Sequence, residues 1–206
     1  MKIYLALIAV LGWFALIVQF YLYLNIGAAP VFEIIIRYFS FFTLISNLLV
    51  AICSTVLVFL PVRPKHFFSG PKTQTAITLY ILIVGIIYNT VLRFLWEPKG
   101  MQLVVDELLH SVIPILFFIY WFLLVPKQQL RWSSFWPWLI FPLVYLAFIL
   151  VRGSFSGFYP YPFMEVNKLG LSRVMFNAVG ITVVFLVISL ILIGIAKWQM
   201  KSKTAG

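Results

Sequence analysis

Long apolar stretches alternate with short polar connectors along the whole chain. Six of the stretches reach bilayer length, near 3–24, 37–60, 75–96, 104–125, 135–152 and 172–196. A helix needs about 20 predominantly apolar residues to cross the hydrocarbon core. Barrel strands would instead alternate in polarity over about 10 residues. These stretches are apolar all round, so they predict helices. The connectors collect Pro, Gly and charge: Asn25 to Pro30, Pro61 to Lys72, Glu97 to Gly100, Pro126 to Arg131, and Gly153 to Gly170. The first stretch follows Lys2 and ends near Gly27-Ala28-Ala29, which resembles a secretion signal. It is longer than the 7–15 or so apolar residues of such a signal, so a retained first helix is expected. The predicted architecture is all-α: a polytopic membrane protein with six transmembrane helices in one domain over residues 1–206. No strong internal repeat relates its halves.

Composition supports this. Hydrophobic residues make up 64% of the chain and charged residues 10%. A soluble domain of this size lacks the interior to hide so much apolar surface. The single cysteine, Cys53, excludes an internal disulfide framework. Set among aliphatic residues, it reads as a small buried hydrophobe.

Charge then orients the helices. Alternating the six spans puts Lys2, Arg63, Lys65, Lys72, Lys127, Arg131, Lys197, Lys201 and Lys203 on one face. The other face receives Arg37, Arg93, Lys99, Arg152, Lys168 and Arg173, with all the acids: Glu33, Glu97, Asp106, Glu107 and Glu165. The excess of Lys and Arg marks the first face as cytoplasmic, with both termini inside. The net charge of +10 is therefore a topology signal, with some attraction to anionic lipid, rather than a nucleic-acid signature. Trp96, Trp132, Trp136, Trp138 and Tyr159 fall near helix ends, as an interfacial belt does.

The informative residues are polar ones inside spans. Thr43, Ser46 and Asn47 share one face of the second span by their i, i+3, i+4 spacing. Asn89 and Arg93 do so in the third, Asp106 and His110 in the fourth, and Arg173 and Asn177 in the sixth. With the predicted topology all four groups lie in the outer half of the membrane. Exposed to lipid they would be costly, so they are expected to face inward and satisfy one another. The opposite ends of these helices read as basic and otherwise plain. Bland roles exist for each group. Thr43 can return its hydroxyl to a carbonyl one turn back. Ser46, Asn47, Asn89 and Asn177 can join helices. Arg93 and Arg173 can snorkel. Asp106 can be a partly exposed acid paired with Arg93, and Glu107 a solvated interface acid. His66, in a connector, suggests no role. His110 is harder to explain structurally, because an intramembrane ionisable group is functional by default. Pro114, four residues on, lacks the amide that would bond the His110 carbonyl, so the helix should loosen there.

A hydroxyl, an imidazole and a carboxylate are the parts of a nucleophilic hydrolase. In that arrangement His110 takes the Thr43 proton during attack on an ester, and Asp106 orients the ring. Asn47, Asn89 or Ser46 would donate to the oxyanion. A single intramembrane His without a carboxylate cluster argues against a metal. No cofactor is called for, and a Schiff base would need a buried Lys that no span contains.

Three segments carry a family resemblance. They are Tyr38-Phe39-Ser40-Phe41-Phe42-Thr43-Leu44-Ile45-Ser46-Asn47, His110-Ser111-Val112-Ile113-Pro114, and Tyr161-Pro162-Phe163-Met164-Glu165 followed by Arg173. Together they resemble the androgen-induced and androgen-dependent TFPI-regulating membrane proteins and their bacterial six-helix relatives, the Pr-six-Pr group. The resemblance implies a threonine hydrolase of fatty-acid esters of hydroxy fatty acids, using one intramembrane Thr and one His. By motif these are Thr43 and His110 here. It also implies a bacterial cytoplasmic membrane. Two departures stand out: Ser46-Asn47 occupies the place of an acidic residue near Thr, and the His-to-Pro spacing differs by one. In this reading the partners are a lipid ester and membrane lipids, with no nucleic acid. Arg93 or Arg173 would meet the head group, and the connector Phe155 to Phe163, with Tyr161, would cap the site. Two rivals are a non-enzymatic protein that binds or moves a lipid or small solute, and a purely structural subunit.

The topology is directly testable. Green fluorescent protein fused to the C-terminus is expected to fluoresce, and alkaline phosphatase at the same point to be inactive; active phosphatase there would invert the assignment.

Overall fold

The structure, a computed structural model, describes residues 1–27, 29–60, 67–95 and 97–204, with side chains to 202. Arg63, Lys65, His66 and Trp96, and the side chain of Lys203, lie outside the described residues. Among the described residues there are six helices long and apolar enough to cross a membrane. This is the predicted all-helical class. The chain folds as two compact units, Met1–Gln129 and Leu130–Gly206.

The first unit holds four of the six. Helix α1 spans Lys2–Ile26 and α3 spans Phe42–Phe59, with a short α2, Val31–Tyr38, between them. Helix α4 is Pro71–Thr90 and continues as a 3₁₀ turn to Phe94. The fourth span is composite: α5, Met101–Glu107, then a π-turn, Leu108–Val112, then α6, Ile113–Leu124. Helices α1 and α3 approach closely at Gly12, where a Cβ would lie 3.1 Å from that of Ala51. A small residue at such a crossing is what membrane packing favours, since lipid offers helices no hydrophobic drive to associate.

The second predicted span began too early. Residues from Arg37 to Phe41 do not belong to it. Arg37 closes α2, where it pairs with Glu33 at 2.8 Å, one turn back. The Ser40 hydroxyl donates to the Ile36 carbonyl at 2.7 Å, and Phe41 is extended ahead of α3. Ser40 competes with the helix for backbone partners, so the chain breaks and restarts. Thr43 therefore sits in the first turn of α3.

In the other direction, the expectation of plain helix ends is corrected. At the far end of the α4–α6 pair, Tyr120 donates to the Gln74 side chain at 2.8 Å and Trp121 to the Thr75 hydroxyl at 2.9 Å. Gln74 donates in turn to the Phe68 carbonyl at 2.9 Å. The Lys127 ammonium caps α6 through the carbonyls of Trp121 and Val125 and lies 4.3 Å from the Trp121 ring centroid. A cation at a helix C-terminus meets the negative end of the dipole. Cys53 is buried, as expected.

The second unit contains α7, Phe135–Ser156, a four-residue α8, Val166–Leu169, and α9, Leu171–Thr204. Helix α9 continues well past residue 196, where the last apolar stretch ends. Trp132 and Trp136 are exposed, as belt residues should be, whereas Trp138 is buried. Gly157 ends α7 in a left-handed conformation, φ 70°, with its amide on the Gly153 carbonyl at 2.8 Å. The chain then turns back so that the Tyr159 ring lies against Gly153, whose Cβ, if present, would fall 2.1 Å from the ring. Only glycine leaves room for that ring. Gly153→Ala is expected to expel Tyr159 and destabilise the second unit by about 1–3 kcal/mol; faster proteolysis within 157–170 and a lower thermal midpoint would register it, and an unchanged digest would contradict it.

Candidate functional site

The site is built on a proline. In an α-helix the Pro114 amide would bond the His110 carbonyl, and Pro114 has none. The backbone widens instead into the π-turn at Leu108–Val112, where the Ile113 amide reaches back to the Leu108 carbonyl. The loosening expected from Pro114 is present. Its consequence is two freed carbonyls. Leu109 loses Ile113 to its neighbour, and His110 loses Pro114.

Both are satisfied by asparagines from adjacent helices. Asn47 Nδ2 on α3 donates to the Leu109 carbonyl at 3.1 Å and to the Thr43 carbonyl at 2.9 Å. Asn89 Nδ2 on α4 donates to the His110 carbonyl at 3.2 Å and to the Gly85 carbonyl at 2.9 Å. Each amide nitrogen carries two protons, and both are used. The Asn47 and Asn89 donors, candidates for an oxyanion, are thus engaged on backbone. Ser46 Oγ and Asn47 Oδ1 are buried with no hydrogen-bond partner among the described residues.

Helix α4 presses on the π-turn. Gly85 admits the His110 carbonyl, which would stand 3.1 Å from a Cβ there, and the Pro114 ring at 3.2 Å. Tyr88, one turn on, stacks against the His110 imidazole with centroids 4.0 Å apart and planes 14° from parallel. Its hydroxyl donates to Asp106 Oδ2.

His110 and Asp106 meet as their i, i+4 spacing predicts. His110 Nδ1 lies 2.9 Å from the Asp106 main-chain oxygen and 3.4 Å from Oδ1 of its carboxylate. A carbonyl only accepts, so Nδ1 carries the proton, and in the neutral ring the lone pair is on Nε2. Asp106 is almost wholly buried, 3% exposed, rather than the partly exposed acid expected. Nor does it pair with Arg93. The Arg93 guanidinium pairs with Glu107 instead, is 3.5 Å from the Ser111 hydroxyl, and lies 5.5 Å from the Tyr88 ring centroid. Adjacent helix positions point about 100° apart, so Glu107 faces the half-exposed arginine while Asp106 faces inward.

Thr43 is buried in the first turn of α3. That turn carries the positive end of the helix dipole. The Asn47 amide ties the Thr43 carbonyl and the Leu109 carbonyl to one nitrogen, which brings the Thr43 turn beside the His110 turn.

Tyr161, Arg173 and Asn177 belong to the second unit. Tyr161 stacks on Phe163 at 5.2 Å, and the Phe163 carbonyl accepts from Asn177 Nδ2 at 2.9 Å. The Arg173 guanidinium lies 5.5 Å from the Phe176 ring centroid. Three of the four predicted polar groups therefore gather in the first unit, and the fourth has local partners of its own. Among the described residues no cluster of three or more His, Cys, Asp or Glu is placed to hold a metal ion.

Sequence reasoning missed Tyr88 and Ser111. Tyr88 had a visible signal: it precedes Asn89 in a span, and a buried tyrosine needs a partner for its hydroxyl.

Compared with protein-family models, with curated proteins and with solved structures, the chain gives no match.

Removing the Asn47 side chain leaves the Leu109 carbonyl without its donor in a buried place. Asn47→Leu is expected to cost about 1–3 kcal/mol, more than Thr90→Val at an exposed hydroxyl bonded only within its own helix. Thermal unfolding in detergent measures the difference; equal midpoints would contradict the clamp.

Proposed function

We propose that this chain is a membrane-embedded lipid ester hydrolase, with Thr43 as nucleophile and His110 as general base. In this reading it belongs with the androgen-induced and TFPI-regulating family and its bacterial six-helix relatives. It spans a bacterial cytoplasmic membrane with both termini in the cytoplasm and the site open to the outer leaflet. The observation that carries the reading is the Asn47 bridge between the Thr43 carbonyl and the π-turn that holds His110.

The chemistry rests on these parts. The Thr43 hydroxyl oxygen attacks the ester carbonyl carbon as its proton passes to His110 Nε2. Threonine is β-branched, so its hydroxyl has few rotamers and is held well. The tetrahedral oxyanion forms at the first turn of α3, where the dipole favours negative charge. With both asparagine amides engaged, the Ser46 hydroxyl is the remaining donor of the expected set. The Asp106 carboxylate stabilises the imidazolium. His110 returns the proton to the departing alkoxide oxygen, leaving an acyl-Thr43 ester. Water, deprotonated by the same nitrogen, then releases the acid and restores Thr43. The substrate class is an amphiphilic ester such as a fatty-acid ester of a hydroxy fatty acid, whose carboxylate would meet Arg93.

One observation favours the rival, a non-enzymatic lipid-binding or lipid-moving protein. Both asparagine amides serve helix packing, as they would in a binding scaffold. Purified protein in nanodiscs separates the two. The hydrolase reading expects turnover of a hydroxy-fatty-acid ester or a p-nitrophenyl ester. It expects a loss of at least about 10²-fold in Thr43→Ala and in His110→Ala, the scale of general acid–base assistance. Labelling by a fluorophosphonate should vanish in Thr43→Ala. Activity that survives both substitutions would sink the mechanism, and co-purified lipid without hydrolysis would favour the rival.

A further inference from the structure

One face of α4 grips His110 in three ways. Gly85, Tyr88 and Asn89 stand at i, i+3 and i+4, the spacing that shares a helix face. Gly85 leaves room for the His110 carbonyl, and Asn89 donates to that carbonyl at 3.2 Å. These two hold the backbone of the π-turn. Tyr88 holds the ring, stacked at 4.0 Å. The same tyrosine donates its hydroxyl to Asp106 Oδ2, so Oδ1 is the oxygen turned to the imidazole, 3.4 Å from Nδ1. A carboxylate on its own rotates freely about its last torsion. Pinned at one oxygen, it presents the other.

We propose that Tyr88 is the positioning residue of this site, holding the Asp106 carboxylate with its hydroxyl and the His110 imidazole with its ring face. The inference rests on the hydrolase reading for its kinetic consequence, and on geometry alone for the holding itself. Tyr88 acts through its two partners. When His110 accepts a proton, the imidazolium finds an aromatic face on one side and an oriented carboxylate at Nδ1, both favourable to a cation. The surroundings single out no other side chain for this task. Helix α3 contains no charged residue, and the one charged residue of α1 is Lys2, at its first position. Arg93 and Glu107 are occupied with each other.

Tyr88→Phe keeps the ring and removes the hydroxyl, and Tyr88→Leu removes both. Two readouts on the full chain in nanodiscs test the role. In protein labelled with ¹³C,¹⁵N-histidine, with His110 assigned by its loss in His110→Gln, the imidazole carbon-bound protons should be shifted upfield by the tyrosine ring current. That shift should persist in Tyr88→Phe and disappear in Tyr88→Leu, while the Nδ1 resonance should already move in Tyr88→Phe as the carboxylate is released. With a p-nitrophenyl ester, Tyr88→Phe should lower kcat by about 10- to 100-fold, the worth of one hydrogen bond to a charged group, with KM held within about twofold. The loss should be absent when Asp106 is already Asn, because Tyr88 then has no carboxylate to orient. A merely structural tyrosine would lower the thermal midpoint and leave kcat and the Nδ1 resonance alone, which would overturn the proposal. So would losses that add in the Tyr88→Phe/Asp106→Asn pair, or a His110 spectrum without a ring-current shift. If wild-type protein hydrolyses no ester, the hydrolase reading fails, and the two spectral signatures decide the holding by themselves. Should Tyr88→Leu not fold, Tyr88→Phe still supplies the Nδ1 and kinetic arms.

Discussion

A single missing amide organises the first unit. Pro114 has no N–H to give, and the helix around it relaxes into a π-turn. Two carbonyls lose their partners inside a segment where water is scarce, and each such group costs several kcal/mol if left bare. The chain answers with one asparagine from α3 and one from α4. These bonds fix the height at which both neighbours meet the composite α5–α6 span. The placement of Thr43, Tyr88 and His110 is set by that height. A π-turn of this kind is commonly found where a helix carries function, and here it carries the histidine.

Much of this was legible in the chain. Apolar length alone gives six helices, because nothing else accommodates so many consecutive apolar residues. The polar groups at Asn47, Asn89, Asp106 and His110 stand out against that background, and Pro114 advertises the distortion beside them. What was not legible is which groups pair. Asp106 and Glu107 are neighbours in sequence, and either could answer Arg93. Helix rotation decides it, and that depends on how α5 packs. The same applies to Asn47 and Asn89. As isolated amides they read either as links between helices or as oxyanion donors. Only the π-turn, by freeing two specific carbonyls, engages them on backbone.

The break before α3 shows a second limit. Residues 37–60 read as one stretch because Phe39, Phe41 and Phe42 are as apolar as the rest of the span. The local competition that ends α2, a serine hydroxyl on a carbonyl one turn back, leaves no mark on hydropathy. Yet it decides where in its helix Thr43 sits. A threonine in mid-helix has its surrounding amides bonded within the helix. A threonine in the first turn lies at the positive end of the helix dipole.

The polar contacts at the two ends of α4 bear on one another. Between helices in lipid, apolar side chains pack about as well against lipid tails as against each other, so apolar contact alone holds sliding weakly. Directional bonds must set the register. Near the start of α4, Gln74 and Thr75 meet Tyr120 and Trp121; near its end, Tyr88 and Asn89 meet Asp106 and His110. The two helices run antiparallel, so a shift of one turn, about 5.4 Å, would break both sets together. A bond at Gln74 therefore constrains the stack at His110 about 20 Å away along α4, by the 1.5 Å rise per residue. The far end of the helix pair, which hydropathy presents as plain, is part of what aligns the site.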